Sequence, residues 1–173
     1  MLHVRGHTPE GALPLRDGAP RFEITAIDLA QLWQDFNTAG DQVDLVAIGS
    51  PHASLTECRN FSDFLGDKIC HVGTKTIVTV GRNVLADAAK EGILERLRKA
   101  GVQVIPDICW CSITEPVFPS AAAVLMTNSG KYSHYAKGLT GRGVRFGSLK
   151  NCAEAAISGV APSGLPAWLA PQK

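Results

Sequence analysis

Apolar residues along this chain recur with two different periods, and the two alternate. Helical spacing comes first, at Leu29, Leu32, Trp33 and Phe36. Thr25 and Asp28 sit before it as a capping-box start, and Gly40 closes the segment. Short β-branched runs then read as buried strands: 43–48, 76–80, 102–105, 123–127 and 144–146. Between them lie further helical stretches. Ser54 and Glu57 form another capping box, opening a helix to about Leu65. A helical stretch runs from Asn83 to Ala100 with a break at Gly92, and Ser148 caps a final helix through Ile157 that Gly159 stops.

Strands that alternate with helices call for βαβ units. The expected fold class is therefore α/β, a three-layer α/β/α domain around a mostly parallel sheet. Residues 1–20, rich in Gly, Pro and charge, read as a leading arm, and 21–160 form the α/β domain. Residues 161–173 have the Pro, Gly and Ser content of a linker-like tail.

Composition narrows the function. With 173 residues and 45% hydrophobic content, the chain can bury one substantial core. Its 17 basic and 16 acidic residues leave a net charge of +1 and no basic stripe, so there is no footprint for nucleic acid. No apolar run approaches the roughly 20 residues that span a bilayer, and the start lacks a secretory h-region. Five cysteines without a leader argue against a disulfide framework and point to a reducing cytoplasm.

In open α/β sheets ligands bind beyond the carboxyl ends of strands, and the unusual residues of this chain cluster there. After the first strand comes Gly49-Ser50-Pro51-His52-Ala53-Ser54. The helix capped by Ser54 aims N–H groups at its loop, suited to a carboxylate or phosphate, with His52 as donor or proton carrier. The same residues also fit a Pro-containing turn with an exposed histidine. After the third strand comes Pro106-Asp107-Ile108-Cys109-Trp110-Cys111, either a metal or redox thiol pair or two packed cysteines. After the fourth comes Thr127-Asn128-Ser129-Gly130-Lys131, which offers amide, hydroxyl and ammonium groups to an anion, or is a capped turn. Cys152 lies in the first turn of the last helix, where the dipole favours thiolate, although core packing is the plainer reading.

Five stretches in order resemble the aconitase X family, compact hydro-lyases related to aconitase. They are Met1-Leu2-His3-Val4 with Gly6-His7-Thr8-Pro9-Glu10; Asp44 to Ser54; Asp107-Ile108-Cys109; Thr127 to Tyr132; and Cys152-Ala153-Glu154-Ala155-Ala156. The chain departs from the family pattern at Ser50 and Ile108, where Thr is expected, and at Cys58, where a carboxylate is common. In length it resembles only the C-terminal portion of the large-subunit region. The segment expected to bring a further cysteine, and the small swivelling domain with its serine loop, are not among these residues.

The resemblance implies dehydration of a small hydroxy acid such as cis-3-hydroxy-L-proline, or of a phosphorylated mevalonate in archaeal relatives. It implies an iron–sulfur cluster or iron as Lewis acid, with Cys109 and Cys152 as metal ligands that approach one another at the carboxyl edge. His52 and Lys131 are the implied catalytic groups. Ser50, His52, Ser54, Asn128, Ser129 and Lys131 are the implied substrate-binding set. Such a chain would be a partial hydro-lyase working with the remaining domains or a small subunit, and inactive alone. A non-catalytic truncated paralogue, acting as a partner or small-anion binding domain, is the alternative.

Overall fold

Five strands and six α-helices alternate along the described residues of the computed structural model, 2–112 and 117–170. Met1, which opens the first matched stretch, and 171–173, the end of the expected tail, lie outside them. In order these are α1 (Ala26–Asp35), β1 (Leu45–Ala53), α2 (Leu55–Leu65), β2 (Lys75–Val80), α3 (Arg82–Lys90), α4 (Ile93–Lys99), β3 (Val102–Pro106), β4 (Val124–Thr127), α5 (Gly130–Leu139), β5 (Gly143–Phe146) and α6 (Leu149–Ser158). The strands form one sheet in the order β3-β2-β1-β4-β5, with every ladder parallel.

Strand pleating divides the core in two. Val46 and Ile48 of β1 point to one face, where Phe61 and Leu65 of α2, Leu97 of α4 and the small residues of α6 cover them. Leu45 and Ala47 point to the other, against Tyr132 and Ala136 of α5 and the Trp110 and Phe118 rings. The sheet is therefore the middle of three layers. One outer layer is four helices thick in sequence (α2, α3, α4, α6). The other is α5 plus the connection after β3.

Three helices begin where their own sequence satisfies the first N–H groups. Thr25, Ser54 and Ser148 all close reciprocal capping boxes, with Asp28, Glu57 and Asn151 as partners. In α2 the buried residues Cys58, Phe61, Ser62 and Leu65 fall three and four apart, a single stripe against the sheet. In α6 Cys152, Ala153, Ala155 and Ala156 are buried, and their small side chains let α6 approach α2 closely. Gly92, at φ 71°, breaks the long helical stretch into α3 and α4.

α5 departs from the sequence expectation of a capped turn after β4. Its stretch holds Gly130, Ser133, His134 and Gly138 and only two buried residues, so propensity and periodicity are both weak. Tertiary burial of Tyr132 against Trp110, ring centroids 4.5 Å apart, is what makes the segment helical. The tail returns to the domain: Ala161 N–H donates to Asp41 O, and Leu169 is buried. Among the described residues no helix is long and apolar enough to cross a membrane.

Phe61 is fully buried between α2 and the sheet. Phe61→Ala is expected to lower unfolding stability by about 3–5 kcal/mol, through lost burial and the cavity left behind. Urea unfolding followed by circular dichroism measures it, and a loss below about 1 kcal/mol would contradict this packing.

Candidate functional site at the carboxyl edge

β1 does not end where its apolar run ends. Ile48 pairs with Val78, and the next partners are Ala53 and Val80, so residues 49–52 loop out of the ladder. Carbonyls in that loop lose their strand partners, and Thr79 of β2 replaces them. Its Oγ1 lies 2.7 Å from Gly49 O and 2.8 Å from Pro51 O. Gly49 has φ 90°, and a Cβ there would stand 2.6 Å from Ala53 N and closer still to Thr79 O. Only glycine fits. The Ser50–Pro51 bond is cis.

From this loop three arms reach neighbouring strand ends. Ser50 Oγ stands 3.0 Å from Cys111 Sγ, joining the β1 and β3 exits. Cys111 is buried, which pushes its thiol upward; Ser50 opposes that, while the neighbouring Cys109 thiol adds to it and the Lys131 ammonium lowers it. The second arm is His52, exposed and packed near Gly81, where an added Cβ would lie 3.9 Å from Nδ1. There Asp107, at φ 58°, accepts from the Arg82 backbone N–H at 2.9 Å and from Arg82 Nε at 2.6 Å. Arg82 holds the Asp107 carboxyl below the usual range, and His52 makes a smaller contribution in the same direction. In the third arm, Ser54 donates its N–H and hydroxyl to Glu57 Oε2, each at 3.0 Å, and Asn128 Nδ2 reaches Glu57 Oε1 at 3.5 Å.

β1 leads to β2 on one side and pairs β4 on the other, so this edge is the switch point of the sheet. Ser50, His52 and Ser54 follow the apolar run of β1, and Asn128, Ser129 and Lys131, the last in the first turn of α5, follow β4. Their availability differs. The Ser54 amide and hydroxyl are both occupied by Glu57, whose carboxylate sits where an external anion was expected. Ser129 Oγ accepts from Tyr132 N–H at 3.1 Å and keeps its own proton to donate. His52 and Lys131 are exposed.

The two expected metal ligands part company. Cys109 packs against the cluster around Leu45 and Trp110, while Cys152 is fully buried in the other cluster with Val46 and Phe61. Burial alone pushes the Cys152 thiol up, with no contribution from Cys109. Cys111, read from sequence as a mere neighbour, is instead the thiol beside Cys109. Two further residues of this edge, Thr79 and Arg82, were not singled out by the sequence, and Asp107 stood in the strand-end stretch without a role of its own. Arg82 was findable, since it follows the carboxyl end of β2 and the same strand-end rule applies.

Beside this edge, α1, the start of α6 and the tail enclose a largely apolar groove of about 750 Å³. Leu32, Trp33, Phe146 and Trp168 line it, and Asn128 and Ser148 border it. A second cleft of about 590 Å³ opens at the opposite, amino edge, near Asp44, His71 and Thr74. No strand end carrying the clustered polar groups reaches it.

Residues 43–158 match the family model of the aconitase X third domain. The chain is 41% identical over 175 residues to the cis-3-hydroxy-L-proline dehydratase of Pseudomonas aeruginosa, covering 98% of this chain and 30% of that protein. To the phosphomevalonate dehydratase large subunit of Aeropyrum pernix it is 30% identical over 148 residues, covering 85% and 35%. The crystal structure of Thermococcus kodakaraensis aconitase X in its holo form matches with a TM-score of 0.76 at 28% identity, over 89% of this chain and 39% of that one. The chain thus spans about a third of the length of the curated relatives it matches.

Two outcomes follow from the site's packing. Thr79→Val is expected to cost about 1–2 kcal/mol in unfolding stability, by leaving loop carbonyls unpaired; an unchanged urea midpoint would show that the hydroxyl does not hold the loop. Brief iodoacetamide treatment of the folded protein is expected to alkylate partly exposed Cys109 at least about tenfold faster than buried Cys58 or Cys152. Peptide mass spectrometry reads the order, and equal labelling of Cys152 would contradict its burial.

Proposed function

The chain belongs to the aconitase X family, and from that premise we propose that it supplies one wall of a hydro-lyase active site. The substrate is a small hydroxy acid of the cis-3-hydroxy-L-proline type, and the rest of the site comes from residues beyond this chain. The observation that carries the reading is convergence: groups from the β1, β2, β3 and β4 exits meet at one switch point. Dehydration needs a base for the proton beside the carboxylate, donors that hold the carboxylate, and help for the departing hydroxide. His52 is the proton carrier in this reading. Lys131 and Ser129 bind the carboxylate, with Ser50 and Asn128 around them. Ser54 acts by holding the start of α2, since Glu57 takes its donors.

Iron or an iron–sulfur cluster is the group the family reading implies for hydroxide departure. The described residues do not fit it as a complete set. Cys109 and Cys152 lie in separate clusters, and no three His, Cys, Asp or Glu side chains among the described residues stand together as a metal site. Cys109 with Cys111 offers at most a thiol pair, so further ligands would come from outside the described residues. No step here is routed through the metal.

Large apolar side chains remain exposed, among them Phe22 at 87%, Ile27 at 81% and Trp168 at 68%. That supports a face covered by other domains. The test is anaerobic assay of cis-3-hydroxy-L-proline consumption by this chain, alone and with the complementary two-thirds of a relative. No turnover alone and turnover when complemented is the expected result, with His52→Ala lowering kcat at least about a hundredfold in the mixture. Robust turnover by the chain alone would overturn the partial role, and inactivity of the complemented mixture would overturn the hydro-lyase reading in favour of a non-catalytic binding domain.

A further inference from the structure

Arg82 is the first residue of α3, and Gly81 before it provides no side-chain cap. Asp107 takes over that end of the helix. One of its oxygens, Oδ1, accepts the Arg82 backbone N–H at 2.9 Å, and Oδ2 takes the guanidinium at Nε, 2.6 Å away, and at Nη2, 2.5 Å away. Backbone and side chain of one arginine therefore close on one carboxylate, which leaves the guanidinium few ways to turn. Asp107 is itself held. Its N–H donates to Val80 O at 2.8 Å, and its φ of 58° places it in the left-handed region that Asp tolerates better than most residues.

The grip is lateral. Asp107 engages the Nε–Nη2 edge through a single oxygen and does not occupy the Nη1–Nη2 end in fork-to-fork fashion. Nη2 keeps its outward N–H free of the Asp107 contact, Nη1 has no hydrogen-bond partner among the described residues, and the Arg82 side chain is 80% exposed. The Nη1–Nη2 end is the one that binds a carboxylate with two parallel N–H bonds. The His52 ring stands beside Gly81, the residue before Arg82, and within the electrostatic reach of Asp107. A surface ion pair that only joined β2 to β3 would not need its arginine fixed at three points with its fork open. Arg59, paired with Glu91 through Nη2 at 2.7 Å, shows the looser arrangement elsewhere on the surface.

We propose that Arg82, set by Asp107, is a carboxylate-binding residue of the carboxyl edge, pairing with the carboxylate of a small hydroxy or amino acid whose ring or chain lies against His52. This rests on the carboxyl edge being the substrate site, as in the proposed function, and adds a guanidinium anchor to the lysine and serine already assigned there. Asp107 is a positioning residue in this scheme. It orients the fork and does not touch the ligand.

The test is direct binding of L-proline to the full chain by isothermal titration calorimetry, with the Arg82 side-chain Nε resonance followed by NMR in the proteins that keep Arg82, so that it does not depend on turnover. Saturable movement of that resonance is expected in the wild type. Arg82→Gln and Arg82→Lys should each weaken L-proline binding at least about tenfold, since lysine keeps the charge but lacks the fork. Asp107→Asn should weaken binding by a smaller factor while leaving the Arg82 signal visible, and Arg59→Gln should bind like the wild type. Thermal melting of each variant separates lost binding from lost folding. Equal binding by the Arg82 and Arg59 variants, full retention by Arg82→Lys, or no saturable movement in the wild type would each overturn the proposal. Arg82-dependent binding alongside an inactive complemented mixture would leave the anchor standing and sink the hydro-lyase reading alone.

Discussion

One hydroxyl decides where the polar residues of this domain stand. β1 is the central strand, hydrogen-bonded to β2 on one side and β4 on the other, and a central strand cannot leave its ladder without orphaning backbone groups. Residues 49–52 do leave it. Thr79 Oγ1 lies within hydrogen-bonding distance of the Gly49 and Pro51 carbonyls, and Gly49 adopts a conformation that closes the loop over it. A hydroxyl has a single proton, so it donates fully to one carbonyl at a time while its small volume lets both approach. The result is a loop pinned from beneath that presents Ser50 on one side and His52 on the other. It returns to the sheet at Ala53, so that Ser54 can cap α2. The polar groups diverge from one fixed loop, which is why their spacing does not depend on long flexible connections.

The two faces of the sheet contribute unequally to that edge. The α2/α6 side is packed with small residues and capped by reciprocal boxes, and its donors are used internally: Glu57 takes both polar groups of Ser54. The α5 side is thinner. It brings to the edge the Cys109 and Cys111 thiols, on a connection held by Trp110 packed among Phe118 and Tyr132, and Lys131 in the first turn of α5.

Much of the fold was legible because period and capping agree. All five strands and the helices opened by Thr25, Ser54 and Ser148 follow from β-branched runs and from Ser or Thr placed three residues before a polar partner. α5 was not legible, because its stability comes from Tyr132 and Ala136 meeting a distant loop and its own residues are poor helix formers. The strand-end rule makes the candidate loops legible in the sequence. Facing was not legible. Cys109 and Cys152 both follow strands, but strand order does not say on which side of the sheet a following residue packs, and these two pack on opposite sides. Thr79 could not be read as special, since a Thr inside a strand has the same local pattern whether or not a loop lies over it. Arg82 and Asp107 are 25 positions apart, and their pairing is visible only once β2 and β3 are adjacent.

The exposure of the edge bears on what kind of component this domain is. His52, Arg82, Asp107 and Lys131 all face solvent here, and chemistry that moves a proton beside a carboxylate gains most where water is excluded. In the proposed reading, a domain acting alone would bury such a site in a cleft of its own. This one instead ends its strands on an open edge and flanks it with an apolar groove that includes Trp33, Phe146 and Trp168. The matching proteins are about three times as long, so they contain the bulk that could close over such an edge. An open polar edge beside an uncovered apolar rim is what one half of an interdomain cleft requires: the rim supplies the area that holds a cover in place, and the cover supplies the dryness in which the edge groups act most strongly.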